Sequence, residues 1–141
     1  MVDLLTYPMG SDVAIDGVTL QRCRAVPGVS TVPIGVSLGK FSTNVMLVAR
    51  FWKLAAARRY DVVHAVEETV YPALLLRWRH RAAVVYDMDS SIAPQLADLG
   101  GLSRLLWPLF EGLERWALRR SDAVTVVCED LAAHARRQRA P

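Results

Sequence analysis

Asp61-Val62-Val63-His64-Ala65-Val66-Glu67-Glu68 and Val84-Val85-Tyr86-Asp87-Met88-Asp89-Ser90-Ser91 decide the fold. Each is a short run of mainly β-branched residues that stops at titratable side chains. Strands buried on both faces of a parallel sheet read this way, and they deliver their last side chains to the crevice at the carboxyl ends. Any chemistry is therefore expected just after Ala65 and just after Tyr86.

Outward from these runs, strands and helices alternate. Val2 to Tyr7 is a β-prone run ended by Pro8-Met9-Gly10, and Val18 to Cys23 alternates like an edge strand. Pro27-Gly28, Pro33 and Gly35 mark an extended loop. Within it, Gly35 to Phe41 is one residue short of a phosphate loop between its glycines and has Phe41 where a metal-binding hydroxyl belongs, so that motif is discounted. From Phe41 to Arg59 apolar residues recur at three and four (Phe41, Val45, Val48, Trp52, Ala55 or Ala56), which predicts an amphipathic helix covering one face of the sheet. A membrane-surface role is its alternative.

Asp61 to Ala65 is the third strand, Tyr71 to His80 a helix opened by Pro72, and Ala82 to Tyr86 the fourth strand. Ile92 to Gly101 reads as a loop beside the crevice. A long helix then runs to Arg120, interrupted or restarted at Trp107-Pro108, with Leu106, Leu109, Leu113 and Trp116 as its apolar face. Ala123 to Val127 is the fifth strand, and Leu131 to Arg139 the last helix, with Glu129 and Asp130 at its start. The pattern is that of an α/β protein, Rossmann-like, with a mostly parallel sheet and flanking helices.

The chain has 141 residues, 52% of them hydrophobic, which is enough for one packed core. Its net charge of +3 and pI near 9.2 come mainly from arginines on helical segments, and these read as solvated helix faces. No recognition motif supports nucleic acid as a partner. Cys23 and Cys128 both end apolar runs and are expected to be buried, reduced thiols of a cytoplasmic protein. They cannot build a metal site, and no metal or other cofactor is expected. No signal peptide and no membrane-spanning run is evident.

Asp87-Met88-Asp89-Ser90-Ser91 after its strand resembles the nucleophile motif of haloacid dehalogenase-type phosphatases, which would make Asp87 the nucleophile and Asp89 the acid beside Mg²⁺. That family also uses a later lysine, and none follows Lys53. Asp87-x-Asp89 also resembles the metal-binding pair of single-domain glycosyltransferases, without their amino-terminal nucleotide pattern. The plainest reading is a strand-to-loop transition with solvated caps.

A wider resemblance runs from Val2 to about Arg137. Leu4-Leu5-Thr6-Tyr7-Pro8, Tyr60 to Ala65 with Glu67-Glu68, Val84 to Met88, and Glu114-Arg115-Trp116-Ala117-Leu118-Arg119-Arg120-Ser121-Asp122-Ala123-Val124 running into Cys128-Glu129 agree in order and spacing with glycosyltransferase family 4. The chain resembles the amino-terminal, acceptor-side domain of these retaining GT-B enzymes. The resemblance implies a sugar or lipid-linked acceptor, and a nucleotide sugar bound by a separate carboxyl-terminal domain. It also implies transfer in the cleft between the two domains, so the chain is expected to be inactive alone.

Acceptor-binding residues by this resemblance are His64, Glu67, Glu68, Asp87, Asp89 and Glu129; no catalytic residue is assigned. Related sequences often carry histidines where Val66 and Asp89 stand here. Both the family's first strand and its donor domain are expected to be missing from residues 1–141. A cytoplasmic location with peripheral contact at the inner membrane face fits a lipid-linked acceptor. A non-catalytic interaction module is the alternative of a different class.

Overall fold

The structure, a computed structural model, describes residues 1–29, 31, 38–91, 102–138 and 140. The expected loops over 30–37 and 92–101 fall almost wholly outside these residues. The chain divides into two compact units, Met1–Arg59 and Tyr60–Pro141.

The first unit begins with β1 (Val2–Thr6) and β2 (Val18–Arg22), followed by α1 (Leu38–Ala57). β1 and β2 are parallel, with Val2 opposite Val18 and Thr6 opposite Arg22. The short connection between them is closed by Arg22, whose guanidinium donates to Asp12 and to the carbonyls of Tyr7, Met9, Gly10 and Ser11. Gly10 and Gly17 hold positive φ in this turn, a conformation that costs glycine little. α1 packs on β1. Arg58 forks onto Asp3 at 2.8 and 3.0 Å, Tyr7 donates to Asn44, and Arg50 donates to Gln21.

The second unit carries β3 (Val62–Val66), a 3₁₀ turn (Glu67–Thr69), α2 (Val70–His80), β4 (Ala83–Met88), α3 (Leu102–Arg120), β5 (Ala123–Val126) and α4 (Glu129–Arg137). The three strands form a parallel sheet in the order β3-β4-β5. α2 packs on β4 and β3 and against α3. Register puts Val63 and Ala65 on one face with Val84, Tyr86 and Met88, and these three β4 side chains are buried. Val70, Leu74 and Leu76 of α2 and Ala117 and Leu118 of α3 are buried as well. This mixed α/β architecture with parallel strands and flanking helices is the expected Rossmann-like class.

Asp122 locks the entry to the sheet. Its carboxylate accepts the Val84 N–H and an Arg77 N–H, both at 2.8 Å, while its own N–H donates to the Val84 carbonyl. Arg77 also donates to the Arg120 carbonyl at the end of α3.

Four expectations need correction. Cys128 is exposed, because β5 ends two residues earlier and Cys128 stands at the N-cap of α4; only Cys23 is buried. The helix through Pro108 is continuous from Leu102 to Arg120. Its apolar stripe does not face inward: Leu109, Leu113 and Trp116 are exposed, and the buried side is Glu114, Ala117 and Leu118. Likewise Phe41, Val45 and Trp52 of α1 are exposed and Val48 is half-buried, while Thr43, Leu47 and Leu54 are buried instead; of the expected stripe only Ala55 is buried. Periodicity locates a stripe, but a helix with two apolar stripes does not say which one faces inward.

Candidate functional site

The face of the second sheet opposite Tyr86 bears Val62, His64 and Val66 of β3, Ala83, Val85 and Asp87 of β4, and Ala123 and Thr125 of β5. Side chains alternate across a strand, so the in-register partners Asp87 and Thr125 stand side by side and His64 lies one diagonal away. Asp87 joins the row. Its Oδ1 accepts the Thr125 hydroxyl at 2.6 Å and its Oδ2 lies 3.2 Å from His64 Nε2. The His64 side chain is 56% exposed and that of Asp87 29%, so the carboxylate backs an imidazole that looks outward.

The ends of the strands are acidic. β3 turns at Glu67, which adopts φ of 50°, a left-handed conformation that non-glycine residues rarely hold without some other constraint. Here the constraint is visible: Glu67 accepts the Ser90 hydroxyl at 3.1 Å, and the Thr69 hydroxyl donates to the Val66 carbonyl. The two strand-to-loop transitions are thereby tied together. Glu68 follows in the same turn, Asp89 is exposed just beyond β4, and Glu129 is exposed in the first turn of α4 and paired with Arg136 at 2.7 Å.

The charge is felt by two phenols on the buried side. Tyr71 is pushed up to about 12, first by burial and then by the charges of Glu114 and Glu68. Tyr86 is pushed higher still, again mainly by burial, with Tyr71, Glu114, Glu67 and Glu68 adding to it. Both remain neutral hydroxyls at any physiological pH.

A family profile described as "Glycosyl transferase 4-like domain" matches residues 1–141. The chain belongs to that family. No curated protein and no solved structure matches it. Among the described residues, no three His, Cys, Asp or Glu side chains gather closely enough to hold a metal ion.

Of the six residues the family resemblance pointed to, the glycosyl transferase 4-like domain brings His64 and Asp87 into direct contact. It sets Glu67, Glu68 and Asp89 at the same strand ends and places Glu129 on a separate element. Two groups escaped sequence reasoning. Thr125 looked like an ordinary strand residue, and only the β4-β5 register reveals it as the neighbour of Asp87. Glu114 was read as part of a motif, yet its buried carboxylate accepts the Ser91 hydroxyl on both oxygens at 2.9 Å and lies 2.8 Å from His134 Nε2. A carboxylate in the midst of an inward-facing Ala-Leu pattern was the available signal, since buried carboxylates need partners.

Proposed function

We propose that the Tyr60–Pro141 unit bears the acceptor site of a glycosyltransferase, with His64 meeting the acceptor hydroxyl and the nucleotide sugar held by a separate donor-binding domain. The observation that supports this most is the Thr125-Asp87-His64 row. With Nε2 turned to Asp87, the proton of a neutral ring sits on that nitrogen and Nδ1 accepts a hydrogen bond from an incoming O–H. Asp87 holds the ring in one orientation, and Thr125 holds Asp87. A hydroxyl oxygen so engaged keeps a lone pair free to meet the anomeric carbon of a donor sugar.

The acids at the ends of β3 and β4 favour one class of acceptor. Glu67, Glu68 and Asp89 repel a phosphate but accept hydrogen bonds from sugar hydroxyls, so a neutral, hydroxyl-rich acceptor fits best. A lipid-linked acceptor meets the same demand when its sugar, not its phosphate, enters. The phosphatase reading fares worse, because that family also uses a later lysine and none follows Lys53.

The test is equilibrium binding of the methyl glycosides of glucose, mannose and N-acetylglucosamine to the full chain. At least one is expected to bind, and His64→Ala and Asp87→Asn to weaken it about tenfold, the first by removing a hydrogen bond to the acceptor and the second by releasing the orientation of the ring. Mg²⁺-dependent hydrolysis of p-nitrophenyl phosphate, abolished by Asp87→Asn, would overturn the proposal in favour of a phosphatase. Transfer is expected only when a donor domain is added; glycoside binding that never leads to transfer with any donor domain would make the chain a non-catalytic module.

A further inference from the structure

Glu114 sits on the inward side of α3 with Ala117 and Leu118 and is 3% exposed. An apolar side chain would fill that place without the cost of taking a charge out of water. What the carboxylate adds is partners. Both its oxygens accept the Ser91 hydroxyl at 2.9 Å, and Oε1 lies 2.8 Å from His134 Nε2. One side chain of α3 thereby reaches two other places, the segment after β4 and α4. Serine, histidine and an acid together suggest a nucleophile, but the order of contacts speaks against it. In such a set the imidazole stands between acid and hydroxyl and takes the hydroxyl proton. Here the carboxylate stands in the middle, and it works as a clamp with two arms.

The two arms do different work. The His134 arm is one of several ties between α3 and α4, since Arg115 donates to the Gln138 side chain at 2.8 Å and Arg119 to the Gln138 carbonyl at 3.0 Å. The Ser91 arm leads to the strand ends. Ser91 follows Ser90, whose hydroxyl donates to Glu67 at 3.1 Å, and Glu67 opens the 3₁₀ turn with its left-handed φ of 50°. Adjacent hydroxyls thus hold the transition out of β4 from two sides, Ser91 to α3 and Ser90 to the turn after β3. With Ser91 fixed, Ser90 stays within reach of Glu67; with Ser91 released, the Ser90 contact must order the segment by itself.

We propose that Glu114 is a positioning residue of the acceptor site: through Ser91 and Ser90 it holds Glu67, and with it the turn Glu67–Thr69, in place at the end of β3. The clamp is a matter of geometry, whereas its consequence for binding rests on the acceptor reading, and the two are measured separately.

The experiment is amide hydrogen exchange of the full chain, set beside binding of the methyl glycosides. The buried Val70 N–H bonds back to the Glu67 and Glu68 carbonyls, so its exchange reports on the turn, while amides of β4 report on opening of the sheet as a whole. Ser91→Ala is expected to speed exchange at Val70 about tenfold relative to β4, the loss of one hydrogen bond, and to weaken glycoside binding several-fold. His134→Ala cuts the other arm and should leave both quantities near those of the wild type. Glu114→Gln keeps an acceptor for Ser91 and should stay within about threefold of the wild type, whereas Glu114→Ala should match Ser91→Ala. If Glu114→Ala does not fold, the Ser91 and His134 variants still decide. Exchange at Val70 that stays in step with β4 in Ser91→Ala, or that rises equally in His134→Ala, would overturn the proposal and leave Glu114 a packing partner. So would faster exchange at Val70 with glycoside binding unchanged. If no methyl glycoside binds the wild-type chain, the acceptor reading fails and the exchange ratio alone decides the clamp.

Discussion

At the scale of single residues, the second unit depends on a few carboxylates that accept several hydrogen bonds at once. Asp122 satisfies the N–H of Val84 at the start of a buried strand and holds Arg77. Asp122→Ala leaves that N–H unpaired, and we expect a loss of about 1–3 kcal/mol in chemical denaturation. Asp122→Asn keeps an acceptor and should cost less. Asp87 does comparable work on the open face, between Thr125 and His64. Thr125→Val removes the hydroxyl without changing shape, so it should weaken acceptor binding several-fold while leaving the melt nearly unchanged. A drop in stability matching the drop in binding would instead make Thr125 a purely structural partner.

At the scale of elements, α2 and α3 gather their polar groups where solvent is scarce. Tyr71, at the start of α2, has an ordinary value of 10.0 raised to about 12. The folded state therefore keeps a proton that the unfolded chain gives up above pH 10, and stability falls as pH rises from about 10 towards 12. Tyr71→Phe should make that fall shallower in denaturant titrations across the same window, Tyr86 supplying the remainder, and leave the slope below pH 9 untouched. α3 contains Pro108 in its interior, where proline removes an N–H and crowds the preceding turn. Pro108→Ala is expected to stabilise the chain by about 1–3 kcal/mol, read as a higher denaturant midpoint with the same slope.

These elements also mark the limit of what the residues alone disclosed. Strand positions were legible because β-branched runs ending in acids or turn residues admit little else, and Val62 to Val66 and Ala83 to Met88 lie where those runs stand. The inward faces of α1 and α3 were not. In each, the aromatic side chains stand on the outer stripe, while the inner one mixes leucines with small or partnered groups: Thr43 and Ala55 beside Leu47 and Leu54 in α1, Glu114 and Ala117 beside Leu118 in α3. Hydrophobic size alone selects the wrong stripe there. His64 and Asp87 could be read from their places at strand ends, whereas their contact and the part of Thr125 required the register of three strands.

At the scale of the whole chain, chemistry and charge are unevenly shared between the units. The acidic strand ends belong to Tyr60–Pro141, whereas the charged residues of α1, in Met1–Arg59, are all basic: Lys40, Arg50 and Lys53. Acidic strand ends suit neutral hydroxyls, and they belong to one of the two units of this glycosyl transferase 4-like domain. The ring of His64 reports directly on the proposed acceptor site. The decisive measurement is nuclear magnetic resonance of the full chain carrying isotope-labelled histidine, titrated with the methyl glycosides. The acceptor site as described requires the His64 ring to be protonated at Nε2 in the free chain and its Nδ1 resonance to move as glycoside binds, with both features lost in Asp87→Asn. A His64 resonance that stays still while a glycoside saturates the chain, or a ring protonated at Nδ1 instead, would contradict it.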